Sequence, residues 1–284
     1  MKTEPFGPLE PALYREVVRR ALAEDLGWGD ITTEATIPPD ARARARLVAG
    51  TRCVIAGLDV AEETFRQLDP LARMSRHRHD SDACEAGIAI ATIEGRAAPL
   101  ATAERTALNF LQRLSAIATL TRQFVEASRG RVIVLDTRAT TPLLRTLEKY
   151  AVRAGGGTNH RLALDEGPLV EGKHVRLAGG VRRAYELMAR AVNDMPVEVE
   201  LQSLAELDDA LDAGVPRVLV TEALRGDLGE IVRRARGRAQ VEFSGAVTID
   251  GFEAIAASGV DFVSIAALTA SPGDVDLHFE FELL

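Results

Sequence analysis

The pattern of apolar and polar positions changes character near residue 130. Before that point, Leu13, Val17 and Ala21 recur at helical spacing, which predicts an amphipathic helix ending near Gly27. The run Ala41-Arg42-Ala43-Arg44-Ala45-Arg46-Leu47 then alternates with period two and predicts a strand with one solvated face. Its arginines read either as that solvated face or as a binding stripe. Residues 102 to 127 carry a long helical pattern with few breakers, a bridge into the second part. No low-complexity linker separates the parts, so close packing between them is expected.

From Arg131 onward, short apolar runs alternate with helical segments. The runs VIVL at 132, VEVEL at 197, RVLV at 217, QVEF at 240 and DFVSI at 261 are each followed by a turn and a helix-like segment. The last four begin about 21 residues apart, close to one strand-helix unit each, which favours a parallel barrel over an open sheet. In such a barrel the ligand site lies at the carboxyl ends of the strands, where these runs place Arg138, Glu200, Thr221, Ser244 and Ala266. Glu198 and Glu200 are two residues apart and so share one side of their strand, one facing inward at depth and the other at the mouth.

Composition narrows the class. At 284 residues, 46% apolar and 27% charged, the chain has globular proportions and room for two domains. No apolar stretch approaches the roughly 18 residues of a membrane span. The N-terminus lacks the basic-then-apolar layout of a signal peptide, so a cytoplasmic protein is the default expectation. Cys53 and Cys84 have no metal-ligand spacing and read as small buried or half-exposed residues. The net charge of -8 argues against a broad nucleic-acid surface but leaves room for a local cationic pocket.

Two clusters carry candidate chemistry. Asp136-Thr137-Arg138-Ala139-Thr140-Thr141-Pro142 is a polar turn between a strand and a helix. Gly155-Gly156-Gly157-Thr158-Asn159-His160-Arg161 is a permissive loop that delivers an imidazole and a guanidinium together. With Arg105 these supply three planar cationic forks and a histidine, groups suited to a ligand with two carboxylates or with phosphates. Arg105 and Arg138 read equally as structural partners of Glu104 and Asp136.

The stretches LAEDLGWGDITTEATI (22 to 37), TAERTALNFLQRLSAIAT (102 to 119), LDTRATTPLLRTLEKYAVRAGGGTNHR (135 to 161), VEVE (197 to 200) and SGVDFVSIAALT (258 to 269) resemble quinolinate phosphoribosyltransferase in the same order. The resemblance implies an α/β protein with an incomplete α/β barrel. Residues 1–115 would form an N-terminal α+β domain joined by the returning tail 275–284, and 116–274 the barrel. It further implies a homodimer in which Arg105 is lent to the neighbouring subunit. The implied reaction uses magnesium, transfers ribose 5-phosphate from phosphoribosyl pyrophosphate to quinolinate, and releases carbon dioxide to give nicotinate mononucleotide. Thr137, Arg138, His160 and Arg161 would contact substrate, with Arg105, Arg138, His160 and Arg161 gripping the carboxylates and Glu200 facing the ribose. Ser244, Gly245, Ala246 and Ala266 would lie along the phosphate loops.

Against the family pattern, Ala139 stands where a lysine is usual, Glu171 replaces another lysine and Lys173 an asparagine. Thr221-Glu222 replaces an aspartate-asparagine pair, and Ala246 and Ala266 replace glycines. Each lost cation removes charge-assisted bonds of about 1.5–3 kcal/mol, which predicts a weakened or lost native reaction. Two alternatives follow from these departures. A desolvated Lys173, with Ala139, Leu143 and Val170 around it and Glu171 or Glu222 moving protons, would form a Schiff base in aldolase-like carbonyl chemistry. A non-catalytic binding dimer is the other.

Overall fold

The computed structural model describes residues 6–192 and 195–284. The first five residues of the N-terminal layout read above lie outside them. The chain opens with a 3-10 turn, Pro11–Leu13, and continues through helices α1 (Arg15–Leu26) and α2 (Ile31–Thr36) into strands β1 (Arg42–Ala49) and β2 (Cys53–Val54). Helix α3 (Leu58–Leu68), strands β3 (Arg73–Arg76), β4 (Ala83–Cys84) and β5 (Ala89–Arg96), and the long helix α4 (Ala97–Ser128) follow. Asp30 starts α2 by accepting a hydrogen bond from Thr33 N–H at 3.0 Å.

The second half contains β6 (Ile133–Leu135), α5 (Arg145–Ala154), β7 (Leu169–Val170), α6 (Gly172–Ala178) and α7 (Val181–Ala191). It continues with β8 (Glu198–Leu201), α8 (Leu204–Asp212), β9 (Arg217–Thr221), a 3-10 turn (Glu222–Asp227) and α9 (Leu228–Ala235). The last elements are β10 (Gln240–Ser244), α10 (Ile249–Ala257), β11 (Phe262–Ser264), α11 (Ala267–Ala270) and β12 (Leu277–Leu283). Ser203 and Thr248 cap α8 and α10, accepting from Glu206 N–H and Gly251 N–H.

Two compact units result. The first comprises the described residues up to Arg122 together with Thr140–Gly156 and Ser271–Leu284, so α5 joins it; the second is Gln123–Ala139 with Gly157–Ala270. The first unit holds an antiparallel sheet in the order β12-β1-β5-β3. The alternation read in β1 is real. Ala43, Ala45 and Leu47 enter the core, while Arg44 pairs with Glu94 and Glu282 and Arg46 with Glu280 on the neighbouring strands. Those cross-strand carboxylates explain the arginine stripe as a solvated face.

The helix expected after Leu13 forms, but with its face displaced by one residue. Tyr14, Val18 and Leu22 are buried, whereas Leu13 is 48% exposed, because the 3-10 turn before α1 resets the helical phase. Cys53 and Cys84 sit directly opposite each other on β2 and β4, both buried. Burial pushes the Cys53 thiol up to about 11, away from thiolate chemistry. The glycine triplet also has a packing reason. A Cβ on Gly155 would lie 2.5 Å from the Ala118 carbonyl oxygen and 2.6 Å from Thr121 Cβ on α4, so only glycine lets the end of α5 approach.

The second unit is a six-stranded parallel sheet in the order β6-β11-β10-β9-β8-β7, each strand followed by helical or turn structure. The parallel strand-helix units expected from the repeated pattern are present, and the sheet, with β6 and β7 at its two ends, is the incomplete barrel that the resemblance implies rather than a closed one. Strand β7, only two residues long, escaped the periodicity because so short a run carries no period. No helix among the described residues is long and apolar enough to cross a membrane.

Candidate active site at the carboxyl ends of the barrel strands

Asp136, at the end of β6 and fully buried, organises the loop that follows α5. It accepts from His160 N–H at 2.8 Å and from the Asn159 amide at 2.5 Å. Thr158 pairs with β6 through its N–H to the Val134 carbonyl at 2.9 Å. The two sequence clusters are thereby joined, bringing Arg138, His160 and Arg161 to the same strand end. Thr137 turns inward on its own loop, its hydroxyl accepting from Ala139 N–H at 3.0 Å.

Arg138 and Arg161 are close enough that each opposes the other's charge. The Arg161 guanidinium, 8% exposed, is held below the usual arginine range by burial first and by Arg138 second. Two like charges in one neighbourhood suit a planar anion, whose arrival would relieve the repulsion. Part of that role is met internally, since Glu171 Oε1 lies 3.6 Å from Arg161.

Glu171 begins α6. Its N–H donates to His174 Nδ1 at 3.0 Å, and its carboxylate, bonded chiefly by Lys173, is held below the usual carboxylate range. Lys173 is accordingly paired with Glu171, and its side chain is 61% exposed. The apolar, desolvated surroundings that a Schiff-base lysine needs are absent, because the first turn of α6 points Lys173 toward solvent. The ordinary charged-residue reading describes it.

Glu200, at the end of β8, is fixed by two donors: Gln202 Nε2 at 2.6 Å to one oxygen and Gly172 N–H at 3.3 Å to the other. Thr221 ends β9 and stands beside Ser244 in register. Glu222 reaches the loop after β10, accepting from Ala246 N–H at 3.2 Å and pairing with Arg225 at 3.1 Å. A Cβ on Gly245 would lie only 2.3 Å from Glu222 Oε2, so glycine makes the space that this carboxylate fills. Ala139 and Ala266 are exposed, and the Ala139 carbonyl accepts from the Thr269 hydroxyl at 2.7 Å. Arg105 lies exposed on α4 in the first unit.

Beneath the mouth is a layer in which Glu198 takes the inward, deep position expected for one of the Glu198–Glu200 pair, with partners that the sequence motifs did not reveal. Glu198 (β8), Arg217 (β9) and Glu242 (β10) point to one buried cluster with His160. Arg217 Nε is 3.0 Å from Glu198 Oε1, its other nitrogen bonds Glu242, and its guanidinium carbon is 3.8 Å from the Phe262 ring centroid. Burial, then Glu198, pushes the Glu242 carboxyl up to about 7, while Glu198 is kept below the usual range by His160 and Arg217 despite its burial. His160, Glu198 and Glu242 present three ligand atoms within 4.8 Å of one another. The Arg217 guanidinium already bonds Glu242 and lies in charge contact with Glu198, so the cluster carries its own cation and does not suit a metal.

Fold and site together define an incomplete parallel α/β barrel whose strand ends hold two mutually repelling guanidinium groups and a fixed carboxylate. The particular family follows from comparison with known proteins. Family models described as quinolinate phosphoribosyl transferase, N-terminal and C-terminal domains, match residues 30–115 and 117–280, and the chain belongs to that family. It is 38% identical to a Synechocystis protein named probable nicotinate-nucleotide pyrophosphorylase (carboxylating), over 88% of this chain and 87% of the relative. A rice chloroplastic nicotinate-nucleotide pyrophosphorylase (carboxylating) is 33% identical over 99% of this chain and 82% of its own length. Among solved structures, NadC from Streptococcus pyogenes superposes with a TM-score of 0.93 at 34% identity, covering 98% of this chain and 99% of that one.

Proposed function

We propose that this chain transfers ribose 5-phosphate from phosphoribosyl pyrophosphate to the ring nitrogen of quinolinate, releasing pyrophosphate and carbon dioxide and giving nicotinate mononucleotide. The observation that carries this reading is the partly buried Arg138–Arg161 pair, a receptor for adjacent planar carboxylates. Departure of pyrophosphate leaves positive charge on the ribose. Glu200, fixed by Gln202 and Gly172, supplies a carboxylate to stabilise it without reorganising. Magnesium prefers oxygen donors and commonly takes one or two carboxylates with substrate phosphates. Glu200 is the carboxylate that fits, the remaining oxygens coming from the donor; the metal would neutralise the leaving group. The reading includes a homodimer, with Arg105 delivered by the second copy, and a cytoplasmic setting.

The departures act on the donor more than on quinolinate. Ala139 provides no cation and Glu222 fills the space over Gly245 where a phosphate oxygen would enter, whereas only Glu171, engaging Arg161, acts on the quinolinate side. Weak donor binding is the consequence. The test is formation of nicotinate mononucleotide by purified protein with quinolinate, phosphoribosyl pyrophosphate and magnesium. Product that disappears when Arg161 is replaced by methionine supports the reading. A folded protein that binds quinolinate yet forms no product at any donor concentration leaves the family scaffold as a binding dimer.

A further inference from the structure

His160 stands in the candidate site with both ring nitrogens already committed to the protein. Nδ1 accepts from the backbone N–H of Arg161 at 2.8 Å, so it is bare. Nε2 lies 3.1 Å from Glu198 Oε2 and 3.7 Å from Glu242 Oε2, so it carries the proton and donates to Glu198. The backbone N–H of His160 is held as well, by Asp136. We propose that His160 is a positioning residue rather than a cationic contact to substrate: a neutral Nε2–H imidazole that fixes the backbone of Arg161 from above and is itself oriented from below by Glu198, Arg217 and Glu242.

The groups facing the ring make this assignment consistent. From β8 comes Glu198, from β9 Arg217, from β10 Glu242, and from the end of β6 Asp136, which bonds the His160 backbone rather than its ring. Arg217 lies between the two carboxylates, so the layer under the ring already holds its own cation. Placing a second proton on Nδ1 would break the Arg161 N–H bond, since a donor cannot accept. The ring therefore acts on the ligand through the direction of the Arg161 guanidinium.

This inference goes beyond the proposed reaction, and its kinetic arm rests on that reading. The spectroscopic arm does not. In ligand-free protein labelled with 15N-histidine, with the His160 resonances assigned by their loss in H160N, one-bond and long-range proton-nitrogen correlations near pH 7 are expected to show a protonated Nε2 and a bare Nδ1. An imidazolium, or a proton on Nδ1, would overturn the proposal whether or not the protein is active. In the kinetic arm, H160N keeps a side-chain acceptor in the place of Nδ1, whereas H160L removes it. The KM for quinolinate is expected to stay within about threefold for H160N and to rise by about tenfold for H160L, with kcat changing less than KM in both. Equal impairment of the two variants overturns the positioning role, because a cationic contact is lost from both alike. Should H160L fail to fold, the tautomer measurement on the unmodified protein still decides. Absence of any quinolinate turnover would count against the proposed reaction and leave the tautomer assignment standing.

Discussion

Replacing Glu222 by glutamine should tighten binding of the phosphoribosyl donor. The Glu222 side chain is 48% exposed and its Arg225 partner 39% exposed, so the ion pair between them contributes about 0–1 kcal/mol to stability. Glutamine keeps the length and an oxygen for Ala246 N–H, and the fold should hardly notice. The charge matters more. A phosphate dianion entering over Gly245 would come within roughly 5 Å of this carboxylate, where each pair of unit charges repels by about 0.8 kcal/mol at the dielectric of water and about 3 kcal/mol at an effective value near 20. Because Glu222 is half exposed and can swing outward, the lower limit applies. Doubled for a dianion it is about 1.7 kcal/mol, or a KM for the donor more than tenfold lower. Initial rates measured against donor concentration at saturating quinolinate test this, with the KM for quinolinate as the internal control. The improvement should shrink as salt is added, since the repulsion is between solvent-accessible charges. A donor KM that is unchanged, or raised, in a variant of unaltered melting temperature would refute the reasoning; a rise would mean that Glu222 assists the donor.

Glu242 should make stability fall as pH rises. Its folded carboxyl, raised to about 7 against 4.5 for the free group, favours the folded state fully below 4.5 and loses that advantage as pH climbs through 7. Urea denaturation across that window should show wild-type stability falling with pH relative to E242Q; parallel pH dependences of the two proteins would count against the assignment. In the first unit, fully buried Glu148 accepts from Arg113 at 2.9 and 3.1 Å and from Thr141 N–H at 3.0 Å. Arg113→Leu should cost about 3–5 kcal/mol by stranding that carboxylate, and adding Glu148→Leu should recover most of it; a loss below about 1 kcal/mol in the single variant would show the pair to be unimportant. Lys173→Met should leave turnover within about twofold and the wild type should give no borohydride-trapped aldehyde adduct, whereas trapping at Lys173 would revive carbonyl chemistry there.

What could be read from the sequence was what repeats. The alternation from Ala41 to Leu47 carries its own evidence of a half-buried strand, and the even spacing of the later apolar runs carries that of the barrel. The phase of α1 was misread because a 3-10 turn precedes it, and a window of helical spacing does not register a change of pitch at its edge. Motif matching located Glu171 and Glu222 but not their partners. Lys173 lies two positions from Glu171, and whether it faces an apolar pocket or that carboxylate depends on where α6 begins. That start is set by Glu171 and His174, a reciprocal cap visible only in three dimensions.

The layer of Glu198, Arg217 and Glu242 was hidden for a different reason. The step from Glu198 to Glu200 already turns one of that pair inward at depth, but in one dimension Arg217 and Glu242 are lone charges in or beside apolar runs, with nothing to join them to it. Parallel pairing puts Glu198 against Arg217, and β10 alongside β9 brings Glu242 to the same guanidinium. A single buried glutamate would be costly; a guanidinium between two of them offsets part of that cost. The charge balance that makes the layer tolerable is therefore a property of the sheet register. It follows that a substitution at Arg217 should be felt first at His160 and Arg161, above it, and only through them at any ligand.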